Sequence, residues 1–173
     1  MPWSLSLQVL TACILISTTT ILFLSIRRAR QRIQLQRAED ELHPLLKDYT
    51  TFRSYTTSYA TYPRIRTFHR QHSHRDKHAD INELPLLVFI HGLGGVLPQF
   101  APLLHSLVNI APCFGIELAG HGRSAFAPKQ YEAYSIEANV ALWKVAIETV
   151  CEENRYKSVV LVGRSSISLL CYC

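Results

Sequence analysis

Residues 84–95 read LPLLVFIHGLGG, and this stretch decides the fold that the sequence predicts. Its first part, Leu84 to Ile90, is a short continuous apolar run, which favours a β-strand buried on both faces, as in a parallel sheet covered by helices. The glycine-rich loop HGLGG, His91 to Gly95, follows at once. A buried strand that runs directly into such a loop is typical of the binding edge of an open α/β sheet.

The sequence after this loop alternates between helix and strand patterns. The segment LPQFAPLLHSL has apolar residues at helical spacing, and a second buried strand is predicted over 111–118, ending in the turn AGHGRS. An amphipathic helix follows, with Ser135 as its N-cap and Ile136, Val140, Trp143, Ile147 and Val150 on one face. A third strand, 158–162, leads into GRSS. This alternation predicts an α/β class with a parallel sheet flanked by helices and joined by right-handed crossovers.

The stretch before the first apolar run has a different character. Residues 49–68 are rich in Thr and Tyr, which indicates one or two half-buried strands or a hairpin. The next segment carries His69, His72, His74 and His78, but their spacing matches no zinc pattern and the neighbouring Arg and Lys residues would repel a cation. We therefore expect a solvated loop and no metal site there.

The N-terminal segment has no charged side chain from Pro2 to Ile26, which is long enough for a transmembrane helix over residues 4–26. A basic juxtamembrane segment, 27–48, follows it. The positive-inside rule then predicts a single-pass membrane protein, in contact with membrane lipids, whose third part, residues 49–173, lies in the cytosol. The alternative interpretation of the N-terminal segment is a cleaved signal or an organellar targeting sequence.

Composition excludes several other classes of protein. Of the 173 residues, 48% are hydrophobic, which is enough for a packed core. The net charge of +5 comes with no zinc-finger, helix-turn-helix or RNA-stacking pattern, so nucleic acid is not an expected partner. The five cysteines are odd in number and contain no CxxC pair, which argues against a disulfide framework. No GxGxxG phosphate loop is present, and no cofactor is expected.

Three motifs, taken in order, resemble those of the α/β-hydrolase family. They are VFIHGLGG, GIELAGHGRS and VVLVGRSS, and the resemblance covers about residues 49 to 166. It implies a serine hydrolase that cleaves ester bonds, with lipid esters as natural substrates for a chain held at a membrane. By position, Ser165 would be the nucleophile, and the backbone N–H groups of Leu93 and Ser166 would form the oxyanion hole. The same resemblance implies loop-shaping roles for His91, Gly92, Gly94, Gly95 and Gly163, and structural turn roles for His121 and Ser124.

Two features depart from the family pattern. Ile167 stands where the G-x-S-x-G turn has its second glycine, and no Asp, Glu or His follows Ser166, although the family's acid and histidine come after the nucleophile. We therefore expect a truncated α/β-hydrolase domain that is inactive as this chain. The alternative is a non-catalytic membrane-anchored binding protein derived from a hydrolase.

Overall fold

Five strands form one mixed sheet whose centre is supplied by the apolar runs of the sequence. The computed structural model describes residues 3–72 and 84–163, and for residues 3–16 it describes the backbone only. The chain divides into two compact units, 1–42 and 43–173. The sheet belongs to the second unit, and its strand order is β1-β2-β4-β3-β5.

The three strands predicted from apolar runs are present and parallel to one another. They are β3 (Leu86–Ile90), β4 (Cys113–Ile116) and β5 (Val159–Gly163). Each end lies within two residues of its predicted position. β3 lies between the other two and pairs with both. Leu86, Val88, Phe89 and Ile90 are buried, which explains the unbroken apolar pattern of this strand.

The Thr- and Tyr-rich stretch forms a hairpin that makes the sheet mixed. Its strands are β1 (Thr50–Thr56) and β2 (Thr61–Arg70), which pair antiparallel. β2 also pairs antiparallel with β4, with Thr67 opposite Ile116 and Arg70 opposite Cys113. The prediction of a parallel sheet is therefore right for β3, β4 and β5. It is wrong for the hairpin, because β2 runs antiparallel to its neighbour β4.

Helices cover both faces of the sheet. On one face α4 (Ile136–Asn154) packs in a core that includes Val88, Ile90, Ile116 and Leu142. On the other face α2 (Pro44–Tyr49), the 3-10 turn Leu97–Phe100 and α3 (Ala101–Leu107) supply a second core around Phe89. A further 3-10 turn, Tyr131–Tyr134, precedes α4. Successive residues of β3 therefore point into different cores, as the period of a strand requires.

The start of α4 agrees with the sequence, but its buried face is different in detail. Ser135 is the N-cap, and its Oγ accepts a hydrogen bond from the Ala138 N–H at 3.1 Å. Trp143 and Val150 are buried as expected, whereas Ile136 is 56% exposed. Ile136 precedes the buried Ala138 by two residues, which at about 100° per residue puts it on the far side of the helix.

Cys113 and Cys151 are both unpaired thiols. Cys113 is fully buried in β4, and that burial raises the pKa of its thiol to about 12. A thiol in this environment stays protonated at neutral pH and behaves as a small apolar side chain.

The first unit contains a single long helix, α1 (Trp3–Leu42). No helix within residues 3–72 and 84–163 is long and apolar enough to cross a membrane, so the predicted transmembrane helix over 4–26 is not supported. The side chains of residues 4–16 lie outside the description.

Candidate functional site

Two loops that contain glycine begin at one edge of the sheet, and β5 ends at Gly163 beside them. Ile90, at the end of β3, pairs with Gly163 on one side and with Ile116 on the other. The loop after β3 and the turn after β4 therefore leave the sheet side by side. This edge, at the carboxyl ends of the parallel strands, is where open α/β sheets bind ligands. Gly163 is the last described residue, so Ser165 and Ser166 lie outside the described residues.

The loop His91–Gly95 is a tight turn with an exposed tip. The Gly95 N–H donates to the Gly92 carbonyl at 2.9 Å, and a Cβ added at Gly95 would lie 2.9 Å from that same oxygen. Gly94 has a φ of +73°, in the left-handed region that favours glycine. Leu93 is 83% exposed at the tip. The loop geometry thus requires glycine at two of the positions for which the resemblance implied a shaping role.

His91 connects this loop to the turn after β4. Its side chain is buried, and Nε2 accepts a hydrogen bond from the Leu118 N–H at 3.1 Å. The ring proton is therefore on Nδ1, which donates to the Gly92 carbonyl at 2.8 Å. Burial lowers the pKa of His91, the hydrogen bond to the Gly92 carbonyl opposes this in part, and the neighbouring His121 ring, 5.3 Å away between centroids, adds a smaller lowering. With both nitrogens bonded to backbone, His91 braces the loop and has no nitrogen left to act as a general base.

Glu117 is the second connection between the two turns. Its carboxylate is fully buried directly after β4. Oε1 accepts a hydrogen bond from the Leu97 N–H at 3.0 Å, and Oε2 accepts one from the Arg123 N–H at 2.8 Å. One side chain therefore holds the segment that follows the β3 loop and the turn that follows β4.

The charge of Glu117 is balanced by Arg66 of β2. Arg66 Nη1 donates to Glu117 Oε1 at 3.2 Å, and both side chains are fully buried. Ser124 reinforces this junction, since its Oγ accepts from the Arg66 N–H at 2.9 Å and donates to the Glu117 carbonyl at 3.1 Å. Ser124 thus acts as the structural turn residue that the resemblance implied.

Gly122 completes the packing around the carboxylate. Its φ is +50°, and a Cβ at this position would overlap the side-chain atoms of Glu117. The turn AGHGRS can therefore close over Glu117 only with glycine at this position.

Sequence reasoning missed Arg66 and Glu117. A signal was present, because Glu117 is a charged residue inside an otherwise apolar run, CFGIELA, that was itself predicted to be a buried strand. A buried carboxylate requires a partner charge or several N–H donors, and Arg66 lies in the neighbouring Thr- and Tyr-rich stretch. What the sequence could not give was the antiparallel pairing of β2 with β4, which brings the two residues together.

The histidine-rich segment lies only partly within the description. His69 Nε2 is 3.0 Å from the Tyr156 hydroxyl, and His72 Nε2 is 2.8 Å from the Asn109 carbonyl. His74 and His78 lie outside the described residues. In the described part of the chain, no three His, Cys, Asp or Glu side chains are grouped so that they could hold a metal ion.

Comparison with known proteins supports the fold. No protein-family model matches the chain, and no curated protein matches it. Among solved structures it is similar to an epoxide hydrolase from Vigna radiata, with a TM-score of 0.51, 15% identity, and coverage of 72% of this chain and 35% of that one. It is also similar to a probable hydrolytic enzyme from Pseudomonas aeruginosa, with a TM-score of 0.50, 12% identity, and coverage of 67% and 33%.

A third similar structure is a membrane phospholipase A, a bacterial virulence factor, with a TM-score of 0.50, 16% identity, and coverage of 91% of this chain and 44% of that one. The chain therefore spans less than half the length of each of these three proteins. At these identities the likeness concerns the fold. The described part of the chain has a partial α/β-hydrolase fold.

Glu117 neutralises a buried cation and should therefore contribute strongly to stability. We expect Glu117→Gln to lower the free energy of unfolding by about 3–5 kcal/mol, because it leaves the buried Arg66 charge without its carboxylate. Urea denaturation followed by circular dichroism measures this, with Glu132→Gln on the exposed surface as the matched control.

A double variant separates the two roles of Glu117. Arg66→Met with Glu117→Leu removes both charges. If Glu117 only neutralised Arg66, this double variant would have a free energy of unfolding near the wild-type value. We expect the double variant to remain destabilised, by about 1–3 kcal/mol for each amide left without an acceptor. Full recovery of the wild-type free energy of unfolding would contradict the role of Glu117 in holding the two turns.

The second prediction concerns pH. The pKa of His91 is lowered in the folded chain, so the unfolded chain binds a proton first as the pH falls. The stabilisation that neutral His91 provides should be fully present above the pKa of about 6.5 that histidine has in an unfolded chain. It should be lost progressively as the pH falls from about 6.5 toward the lowered pKa of His91 in the folded chain. Over the pH range between these two pKa values, we expect the urea midpoint of His91→Gln to fall less than that of the wild type. The exposed His105→Gln variant should keep the wild-type slope, and an unchanged slope in His91→Gln would contradict the assignment.

Proposed function

We propose that this chain carries the nucleophile side of a serine hydrolase site that acts on carboxylic esters. Ser165 is the nucleophile of this proposal, and the backbone N–H groups of Leu93 and Ser166 are its oxyanion donors. The observation that carries it is the register of the parallel pair β3 and β5, in which Ile90 is opposite Gly163.

This register supports the proposal because it sets where the two segments start. Adjacent strands lie about 4.8 Å apart, so the chain after Ile90 and the chain after Gly163 begin about one strand spacing apart. Ser165 is two residues beyond Gly163, and Leu93 is three residues beyond Ile90. In the proposed site, both residues contact one substrate carbonyl at this edge of the sheet.

The proposed step is acyl transfer to serine. Ser165 Oγ forms a bond to the ester carbonyl carbon, its proton passes to a base, and the carbonyl electron pair moves to the oxygen. N–H donors directed at that oxygen stabilise the resulting oxyanion. The base then returns the proton to the ester oxygen, and the alcohol leaves as the carbonyl re-forms on the acyl-serine. The similar structures include an epoxide hydrolase and a phospholipase A. Of these two kinds of hydrolysis, a serine nucleophile favours ester cleavage.

The base is the weak point of the site as it stands in these 173 residues. Both nitrogens of His91 are bonded to backbone, and no Asp, Glu or His follows Gly163 in the sequence. Loss of triad members from a serine hydrolase costs about 10⁴–10⁶ in turnover. We therefore expect this polypeptide to react slowly with activated reagents and to show no efficient turnover. The same observations favour the second candidate, a binding protein with a hydrolase fold and no catalysis.

The test is covalent labelling with a fluorophosphonate, located by peptide mass spectrometry. We expect slow labelling at Ser165 that disappears in Ser165→Ala and persists in Ser166→Ala, which keeps the backbone N–H assigned to the oxyanion hole. Ile167→Gly should raise the labelling rate by about tenfold or more, because it removes a β-branched side chain from a turn that requires close strand-to-helix packing. A cooperatively folded chain that remains unlabelled even as Ile167→Gly would overturn the proposal in favour of the binding candidate.

A further inference from the structure

We propose that residues 21–37 of α1 bind the surface of an anionic lipid bilayer, with the apolar turns entering one leaflet and the arginines contacting headgroup phosphates. Residues 21–37 are called the lipid-binding segment below. This inference is independent of the proposed hydrolase site, because it rests only on the first unit of the chain.

The first half of the segment presents large apolar side chains to solvent. They are Ile21, Leu22, Phe23, Leu24 and Ile26, with exposures between 43% and 65%. Their consecutive positions place apolar groups all round the helix, where a helix of a soluble protein has an apolar stripe on one side only. A helical stretch that is apolar on every side is suited to an environment that is apolar on every side.

The second half of the segment is strongly cationic. Five arginines follow directly, at positions 27, 28, 30, 32 and 37, and all are exposed. No acidic residue occurs before Glu39, so nothing within the segment neutralises them. Arginine guanidinium groups match phosphate oxygens in geometry and charge, and anionic leaflets attract clustered basic residues.

Arg28 and Arg32 lie one turn apart and line one shallow depression together with Ser25 and Gln36. Side chains at this spacing have Cβ atoms about 5–6 Å apart, which lets two guanidinium groups approach one phosphate. The Gln36 amide adds a further donor, whereas the Ser25 hydroxyl donates to the Ile21 carbonyl at 2.8 Å. This face is suited to a lipid headgroup at the level where the apolar turns end.

The arrangement favours a membrane over nucleic acid as the source of the phosphate. Nucleic acid would satisfy the arginines but would leave the adjacent apolar side chains in water. A leaflet satisfies both parts, since its phosphates lie directly above its hydrocarbon.

The test is flotation of the full chain with phosphatidylcholine vesicles that contain or lack about 30 mol% phosphatidylserine. We expect binding to the anionic vesicles at low salt, with strong weakening at about 0.5 M salt, where charges are screened beyond about 4 Å. Arg28→Gln with Arg32→Gln should weaken binding by about 30-fold, on the basis of about fivefold for each basic residue. Phe23→Ser should weaken binding as well, because the apolar turns take part.

The matched control removes two exposed lysines from the second unit, Lys129→Gln with Lys144→Gln, and should bind like the wild type. Equal binding to vesicles with and without phosphatidylserine would overturn the proposal, because the arginines would then contribute nothing. Equal weakening by the lysine variant would show a general charge effect and would also overturn it. The proposal would also be overturned if Phe23→Ser bound the vesicles as tightly as the wild type and the chain bound a DNA duplex more tightly than the vesicles. That result would assign the lipid-binding segment to nucleic acid.

Discussion

The buried ion pair between Arg66 and Glu117 is the constraint on which the candidate site depends. Removing two charges from water costs several kcal/mol for each ion, and the pair is retained only if further hydrogen bonds satisfy the groups involved. Here those hydrogen bonds come from backbone amides, because the Glu117 carboxylate accepts from both Leu97 and Arg123. The hydrogen bonds that offset the cost of burying the pair therefore also fix two separate turns relative to the sheet.

The site edge follows from this connection. Parallel pairing of β3 with β4 and β5 ends all three strands at one level, and the side chains of His91 and Glu117 join the loop after β3 to the turn after β4. The hairpin takes part through Arg66 and through Arg64, whose carbonyl accepts a hydrogen bond from the Ala125 N–H at 2.8 Å in the turn after β4. Rigidity of this kind is what an oxyanion-binding loop needs, since donors must be in place before charge develops on the substrate.

Local patterns in the sequence were sufficient for the elements but not for their connections. The apolar runs predicted β3, β4 and β5, and Ser135 predicted the start of α4, because burial on both faces and N-capping are local requirements. The order of strands and the antiparallel β2–β4 pair were not predictable in this way, since they depend on contacts about fifty residues apart. For the same reason the sequence indicated His91 as a brace but gave no role to Glu117, whose partner is on another strand.

The most direct test of this account is amide hydrogen exchange in the wild type and in Glu117→Gln. The account predicts that the Leu97 and Arg123 amides lose protection by more than the amides of β3, because a glutamine offers one oxygen where the carboxylate offers two. If these two amides change only as much as those of β3, Glu117 contributes to general stability alone. The two turns would then be held by other contacts, which would contradict the central role given to this carboxylate.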